Sequence, residues 1–264
     1  MTSEDLDHGG LPEGASLWHF ESSHLATWME LIGAGQPLSE AQNHAFEHCF
    51  DSMWRLVRKF DGLTALRETV EMDSISEDQK HTLFELTESY YHGFYSAISA
   101  LSGLMARYAN VFGRNIPSSS VQKYIIWLEN RYRFGLPIEF LSIARRFRTI
   151  LAHPEQHPAF TWGYAASSPT YIFLHGAISP NGFLPHGARV SEFEQLPDRW
   201  IFPAPDERWV LDSLGLFVLT AVLQIREPFI DGEPRLPAFK NFDVGDGIYE
   251  YEGTFYIPTS TQTR

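Results

Sequence analysis

Cysteine is almost absent from this chain of 264 residues, in which Cys49 is the single example. One thiol cannot form an intramolecular disulfide, so a disulfide-stapled secreted fold is excluded and a reducing compartment is expected. Cys49 lies among the apolar positions of a predicted helix, between Phe46 and Phe50, which favours a place in the core over a role as a nucleophile.

Basic residues are also scarce. The chain has 20 lysines and arginines against 33 aspartates and glutamates, a formal net charge of −13. Proteins that coat nucleic acid without specificity need a positive surface, so that class is excluded. A small local basic pocket remains compatible with this composition.

Signals for export, membrane insertion and cofactor binding are missing as well. The first ten residues are acidic and polar, unlike a signal peptide. The longest apolar run, 210–223, contains Asp212 and Gly215 and is too short to cross a bilayer. Glycine-rich phosphate loops, a serine-hydrolase elbow and paired cysteines are absent. We expect a cytoplasmic protein without a membrane partner and without a cofactor.

Apolar residues, in contrast, are plentiful and follow helical spacing. Ser39 with Gln42, and Ser76 with Gln79, have the form of capping boxes that begin helices. The first box precedes an apolar stripe that ends before Gly62, and a shorter segment, 63–72, continues or follows it. The second precedes a longer stripe that ends at Gly113. The stripes consist of Phe46, Phe50, Met53, Val57 and Phe60, and of Phe84, Tyr91, Phe94, Ile98, Leu101, Met105, Tyr108 and Phe112.

Two further helices are predicted beyond Gly113. Ser118 or Ser119 can cap the first, and Pro137 suits the first turn of the second. Four principal helices between 38 and 153 with short connections favour an antiparallel four-helix bundle. Its predicted core includes Phe50, Phe94, Ile98, Leu101, Phe140 and Phe147.

The ends of the chain differ in character from this helical part. We predict a loose tail over 1–15, a helical bundle domain over 16–155 and a mixed extension over 156–264 that packs on the bundle. The C-terminal extension is irregular apart from a strand-like run at 170–174, a buried helix over 207–224 and short strands within 247–257.

Arg148 and His153 close the last predicted bundle helix. A residue that precedes proline is driven out of helical geometry, so His153, before Pro154, marks the end of the helix. In an unbroken helix the two side chains would lie roughly 140° apart around the axis, and the break frees the imidazole to approach the arginine. Arginine can hold a phosphate through a fork of donors, and histidine can transfer a proton at neutral pH.

This element resembles the motif of the HEPN superfamily of helical-bundle proteins. Ribonucleases of that family carry an arginine, four to six variable residues and a histidine late in the bundle, which matches Arg148-Thr-Ile-Leu-Ala-His153. Thr149 stands where the family usually has asparagine, aspartate or histidine. The resemblance implies a metal-independent endoribonuclease, with His153 as general acid or base and Arg148 as the stabiliser of transition-state charge. It also implies a homodimer that joins two motifs, and a toxin or phage-defence effector with an RNA substrate and an antitoxin or defence-system partner protein.

Neighbouring residues extend the candidate site. Arg145 and Arg146 give a local basic patch that could contact RNA phosphates, although a solvated helix face explains Arg146 equally well. We take Thr149, Arg145 and His157 as candidate substrate-binding residues.

Two alternatives stay open. The chain could be a non-catalytic helical scaffold or a protein-interaction module. It could also be a zinc-dependent hydrolase, since His44, Glu47 and His48 match the pattern H-x-x-E-H, with Glu129 as a distant third ligand. Tyr90, Tyr91 and Tyr95 cluster with His92 and could line a cavity, but aromatic residues at helical spacing are assigned to the core.

Overall fold

The computed structural model describes residues 15–33, 37–70, 75–132, 135–152, 160–165, 168–176, 194–195, 200–203, 205–226, 249–251 and 254–258. This part of the protein is mainly helical. The helices are α1 (Ser22–Gly33), α2 (Glu40–Thr69), α3 (Glu77–Arg107), α4 (Ala109–Phe112), α5 (Val121–Tyr132), α6 (Gly135–Leu151) and α7 (Glu207–Arg226). The strands are β1 (Ala15–Leu17), β2 (Phe160–Ala165), β3 (Ser168–Gly176), β4 (Glu194–Gln195), β5 (Trp200–Pro203), β6 (Tyr249–Tyr251) and β7 (Thr254–Pro258).

Both predicted capping boxes are confirmed. The Ser39 hydroxyl accepts a hydrogen bond from the Gln42 amide at 3.3 Å, and the Gln42 side chain accepts one from the Ser39 amide at 3.0 Å. Ser76 and Gln79 repeat this arrangement at the start of α3. Residues 63–69 of the predicted 63–72 segment continue the first helix, because α2 runs through Gly62 to Thr69 as one helix of 30 residues, and 71–72 lie outside the described residues.

Two later helix boundaries differ from the prediction, because the long helix predicted to end at Gly113 breaks at Tyr108 and a different serine caps α5. After α3 the chain turns at Tyr108 into the short α4, and Gly113 follows with a φ of 109°. Ser120, rather than Ser118 or Ser119, caps α5, since its hydroxyl accepts the Lys123 amide at 3.4 Å. α6 ends at Leu151, where the Ala152 amide still reaches the Arg148 carbonyl at 3.0 Å. That end lies two residues before His153, as the following proline requires.

The predicted core is confirmed for all six residues, each of which is buried. One continuous apolar cluster joins residues of the six helices other than α4, together with Val111 and Phe112 of α4. The predicted helix over 207–224 is present as α7, which packs against α1, α2, α3 and α6. α7 therefore belongs to the same core as the helices that precede it.

α1 was not evident in the sequence. It buries Leu25, Trp28 and Ile32 and packs against α7 and α2. An isolated helix of 12 residues is marginal in water, so tertiary packing stabilises this one.

The strands form two antiparallel sheets. One has the order β1-β7-β6, with Ala15 opposite Pro258, and the other has the order β2-β3-β5-β4. The first sheet thus brings residues near the start of the chain beside residues near its end.

α7 has the length and hydropathy of a membrane span. The apolar run 210–223 lies inside this helix of 20 residues and is shorter than it. Among the described helices it alone passes that test, and 72% of its most apolar window is buried inside the molecule. Buried polar residues, including Glu207 and Asp212, also lie on it. These features are consistent with the core helix of a soluble protein.

Candidate active site

Arg148 lies in the last turn of α6, on the side that faces α3. The ring of its neighbour Phe147 packs edge-on against Tyr91, with centroids 4.7 Å apart. One helical turn further along α3, the Arg148 Cζ lies 4.4 Å from the centroid of the Tyr95 ring. Cation–π contacts of this kind fix the direction of a guanidinium at modest energy. The packing of α3 on α6 therefore holds Arg148 in a defined, half-buried position.

The guanidinium of Arg148 has no carboxylate partner within the described ranges, and its Nε is buried without a hydrogen-bond acceptor. Other arginines in this acidic protein do form ion pairs. Arg67 pairs with Glu207 at 2.7 Å, and Arg55 pairs with Asp51 at 2.7 Å. A half-buried cation without an anion is costly, which makes Arg148 a candidate for binding an external anion.

His92 is the titratable neighbour of Arg148. It is half-buried on α3, and its Nδ1 is enclosed without a hydrogen-bond partner. Burial lowers the pKa of His92, and the positive charge of Arg148 lowers it further, with a smaller contribution in the same direction from Lys59; Glu88 opposes them. The imidazole is consequently neutral near pH 7, with a lone pair available to accept a proton.

Lys59 brings α2 into the same site. Its Nζ donates to the Ser89 carbonyl on α3 at 2.9 Å. Its stem crosses Gly93, where an added Cβ would lie 3.0 Å from the Lys59 Cδ. Burial, followed by the charge of Arg55, lowers the pKa of Lys59. Lys59 of α2 thus lies against the Ser89–Gly93 stretch of α3, while Arg148 of α6 contacts Tyr95 of the same helix.

The other predicted site residues differ in what they contact and in whether the structure describes them. The Thr149 hydroxyl donates to the Arg145 carbonyl at 3.0 Å, so its proton is engaged within α6. Arg145 is half-buried, and Arg146 donates to the Ser142 hydroxyl at 2.7 Å. His153 and His157 lie outside the described residues, so the predicted pairing of Arg148 with His153 stays a prediction.

His92 and Tyr95 were missed as site residues because both were assigned to the core with Tyr90 and Tyr91. That assignment is right for Tyr90 and Tyr91, which are completely buried. At Gly93 an added Cβ would meet the side chain of Lys59, but Gly62 and Gly103 also lie inside helices and have no such neighbour. A helical glycine was therefore no sufficient signal for this site.

The candidate zinc ligands stand elsewhere on the surface. His44 and His48 are exposed and line a groove of about 500 Å³ between α2 and α3, together with Glu40 and Arg107. Glu47 accepts a hydrogen bond from Asn43 at 3.0 Å. Within the described ranges no three histidine, cysteine, aspartate or glutamate side chains are grouped to hold a metal ion. Glu129 therefore does not join the two histidines.

A second polar cluster is built around Asp212 of α7. This buried carboxylate accepts the Phe20 amide at 2.8 Å, meets the His19 Nδ1 at 2.9 Å and accepts from the Arg208 Nη1 at 3.3 Å. Arg208 also donates to the Phe20 carbonyl at 3.1 Å. The cluster ties the segment before α1 to the core.

Cys49 is completely buried, as the apolar stripe of its helix predicts. Burial raises the pKa of its thiol to about 12. The reactive thiolate is therefore suppressed at neutral pH, which argues for a packing role.

The chain matches no protein-family model, no curated protein and no solved structure. Its own side chains therefore carry the functional assignment.

Proposed function

We propose that the protein is a HEPN-like, metal-independent endoribonuclease that cleaves RNA with Arg148 and His153. The observation that carries the proposal is the state of Arg148. It is a half-buried guanidinium at the end of α6, stacked on Tyr95, with no anionic partner in the part of the chain that the structure describes. A phosphodiester would supply the missing negative charge.

The proposed reaction is a transesterification within the RNA backbone. A base removes the 2′-hydroxyl proton, the oxygen attacks phosphorus, and the bond to the 5′-oxygen breaks as an acid protonates that leaving oxygen. The products are a 2′,3′-cyclic phosphate and a 5′-hydroxyl. Arg148 would stabilise the extra negative charge of the pentacovalent phosphorus, and His153 would act as general acid or base.

The architecture supports this proposal in a coarser way. We propose that α2, α3, α5 and α6 correspond to the antiparallel four-helix bundle of the family, with α7 as an added core helix. We infer a homodimer that joins two Arg148–His153 motifs, and an in vivo role as a toxin or phage-defence effector held in check by a partner protein. Because the net charge is −13, the proposed RNA binding is confined to a local positive site.

Purified protein should cut single-stranded RNA in the presence of a chelator and leave a 2′,3′-cyclic phosphate. Arg148→Ala removes the stabilising cation and His153→Ala removes a proton carrier. Each should lower the cleavage rate by about 100-fold or more. The measurement is gel analysis of a labelled RNA, with end groups identified by mass spectrometry.

The matched control is Arg58→Gln, because Arg58 also lies over an aromatic ring, Trp54, but on the exposed face of α2. It should retain full activity. Both inactive variants should keep the wild-type circular dichroism spectrum and sedimentation coefficient. Wild-type protein that never cleaves RNA would favour the scaffold alternative, and activity abolished by chelation would favour a metal hydrolase.

A further inference from the structure

The start of α1 is closed by a histidine in the position where a capping box has glutamate or glutamine. Glu21 lies directly before the helix, and its carbonyl accepts a hydrogen bond from the His24 amide at 3.1 Å. In the other direction, the Glu21 amide donates to the Nδ1 of the His24 ring at 3.0 Å. Gln42 and Gln79 accept the equivalent bond at the starts of α2 and α3. At α1 the acceptor is instead a group that titrates near neutral pH.

This hydrogen bond fixes the protonation state of the imidazole. A backbone amide can only donate, so the Nδ1 must carry a free lone pair and the proton of the neutral ring must lie on Nε2. A second proton can go only to Nδ1, where it would point at the Glu21 amide. Protonation of His24 therefore removes the acceptor. It also puts a positive charge at a helix N-terminus, where the helix dipole disfavours it.

The imidazole also takes part in the packing of α1. The rings of Trp18 and Trp28 stack on it, with centroid distances of 6.1 and 5.8 Å, and the Phe20 ring lies 6.0 Å away. All three of these aromatic side chains are buried. A ring that swings away from the Glu21 amide also leaves this stack, which couples the cap to the contacts that hold α1 and the segment before it.

Burial and charge act on His24 in opposite directions. Burial lowers its pKa from the ordinary value of 6.5, while Glu21 and then Asp212 raise it, and burial is the larger effect. Asp212 belongs to α7 and is bound in turn by His19 and Arg208. Of the described groups that act on the imidazole, none lies on α2, the other helix that packs against α1. The side chain is half-buried, so the ring keeps contact with solvent.

We propose that His24 is a pH-sensitive cap that closes the start of α1 at neutral pH and opens it in mild acid. The neutral imidazole holds the Glu21 amide, and a proton taken from water onto Nδ1 frees that amide, so that the segment 18–28 opens more often from the core. The opening stays local, because a helix of 12 residues is marginal by itself and local opening needs less free energy than global unfolding. This device does not depend on the proposed ribonuclease activity.

The first experiment determines the tautomer of His24. Nitrogen-15 NMR of histidine-labelled protein between pH 5 and 8 reports the protonation of each ring nitrogen, and the His24 signals are assigned from their loss in His24→Gln. We expect an unprotonated Nδ1 and a protonated Nε2 at pH 7.5, with a titration midpoint below 6.5. A proton on Nδ1 at pH 7.5 would overturn the cap.

The second experiment follows the opening itself. Hydrogen exchange is measured by mass spectrometry at pH 7.5 and 5.5, and each rate is divided by that of the unfolded chain at the same pH. Protection of peptides covering 18–28 should fall about fivefold or more at pH 5.5, the effect of losing a helix cap. Peptides from the middle of α3 should stay better protected than 18–28 at both pH values, because the opening is local.

Glutamine is the matched replacement. His24→Gln can accept the same amide but cannot be protonated, so protection of 18–28 should be equal at the two pH values. His24→Ala has no acceptor, so its protection should already be about fivefold lower than wild type at pH 7.5. His44→Gln, at an exposed position on α2, should behave as wild type.

Three results would overturn the inference. The first is equal protection of the wild-type segment at pH 7.5 and 5.5. The second is a fall of wild-type size in His24→Gln, because another group, such as His19, would then carry the pH dependence. The third is exchange of 18–28 at the same rate as the middle of α3, because the molecule would then open as a whole.

Discussion

At the scale of single residues, the role of a charged or polar side chain depends on whether it has a hydrogen-bond or ion-pair partner. In the part of the chain that the structure describes, the Arg148 Nε and the His92 Nδ1 have no hydrogen-bond partner, whereas Asp212 is matched by a backbone amide, an arginine and an imidazole. A buried carboxylate with three donors is stable in place, and a half-buried cation without an anion is poised to bind one. The same physical rule thus separates a structural cluster from a candidate active site.

Asp212→Ala should destabilise the protein by about 3 kcal/mol, because it leaves Arg208 and the Phe20 amide without their shared acceptor. Urea unfolding followed by tryptophan fluorescence measures the loss. Asp51→Ala is the matched control, since the Asp51–Arg55 pair is exposed on α2, and it should change stability by less than about 0.5 kcal/mol. Equal effects of the two substitutions would remove the structural role assigned to the Asp212 cluster.

At the scale of elements, α7 organises the molecule although it stands late in the chain. Tyr90 and Tyr91 of α3 donate from their hydroxyls to the carbonyls of Glu207 and Pro205, at 2.6 and 2.7 Å. The segment before α1 lies directly on α7 at Gly215, where an added Cβ would be 2.4 Å from the Phe20 Cγ. α7 therefore anchors α3 and the N-terminal segment together.

Gly215→Ala should destabilise the protein by about 1–3 kcal/mol, because the new methyl group would overlap the Phe20 ring and force it away from α7. Gly62→Ala offers a control of identical chemistry. Gly62 lies inside α2 with no neighbour within 4 Å of an added Cβ, so alanine should stabilise by about 0.5–1 kcal/mol through helix propensity. The two midpoints of urea unfolding should move in opposite directions. Shifts of the same sign would contradict the close contact at Gly215.

The whole molecule combines a continuous apolar core with an acidic surface. Two half-buried histidines make its stability depend on pH. Burial is the leading cause that lowers the pKa of His24 and of His92 from the ordinary value of 6.5. The unfolded chain then binds more protons than the folded one in mild acid.

Stability should therefore be complete above about pH 6.5 and should decrease as the pH falls through that value toward 5. Unfolding free energies from urea titrations at pH 7.5, 6.5 and 5.5 measure the slope. The double variant His24→Gln, His92→Gln should have a shallower slope over this interval. A double variant with an unchanged slope would show that other groups carry the dependence.

Local patterns determined much of the helical layout. The two capping boxes, the apolar stripes of α2 and α3, the stop before Pro154 and the buried character of 207–224 are properties of neighbouring residues, so they can be read along the chain. They also identified the position of Arg148 near a helix end. α1 was not predicted, although half of its 12 residues are apolar, because so short a helix gains its stability from partners distant in sequence.

The environment of Arg148 was decided by tertiary structure alone. Lys59, His92 and Arg148 belong to three helices and are separated by 33 and 56 residues in sequence. Their proximity depends on how α2 and α6 pack on α3. The positive charges of Arg148 and Lys59 both lower the pKa of His92. A sequence determines which residues can carry charge or transfer protons. Which of them are desolvated, and which are left without partners, depends on burial and distance, and these exist only once the helices have packed.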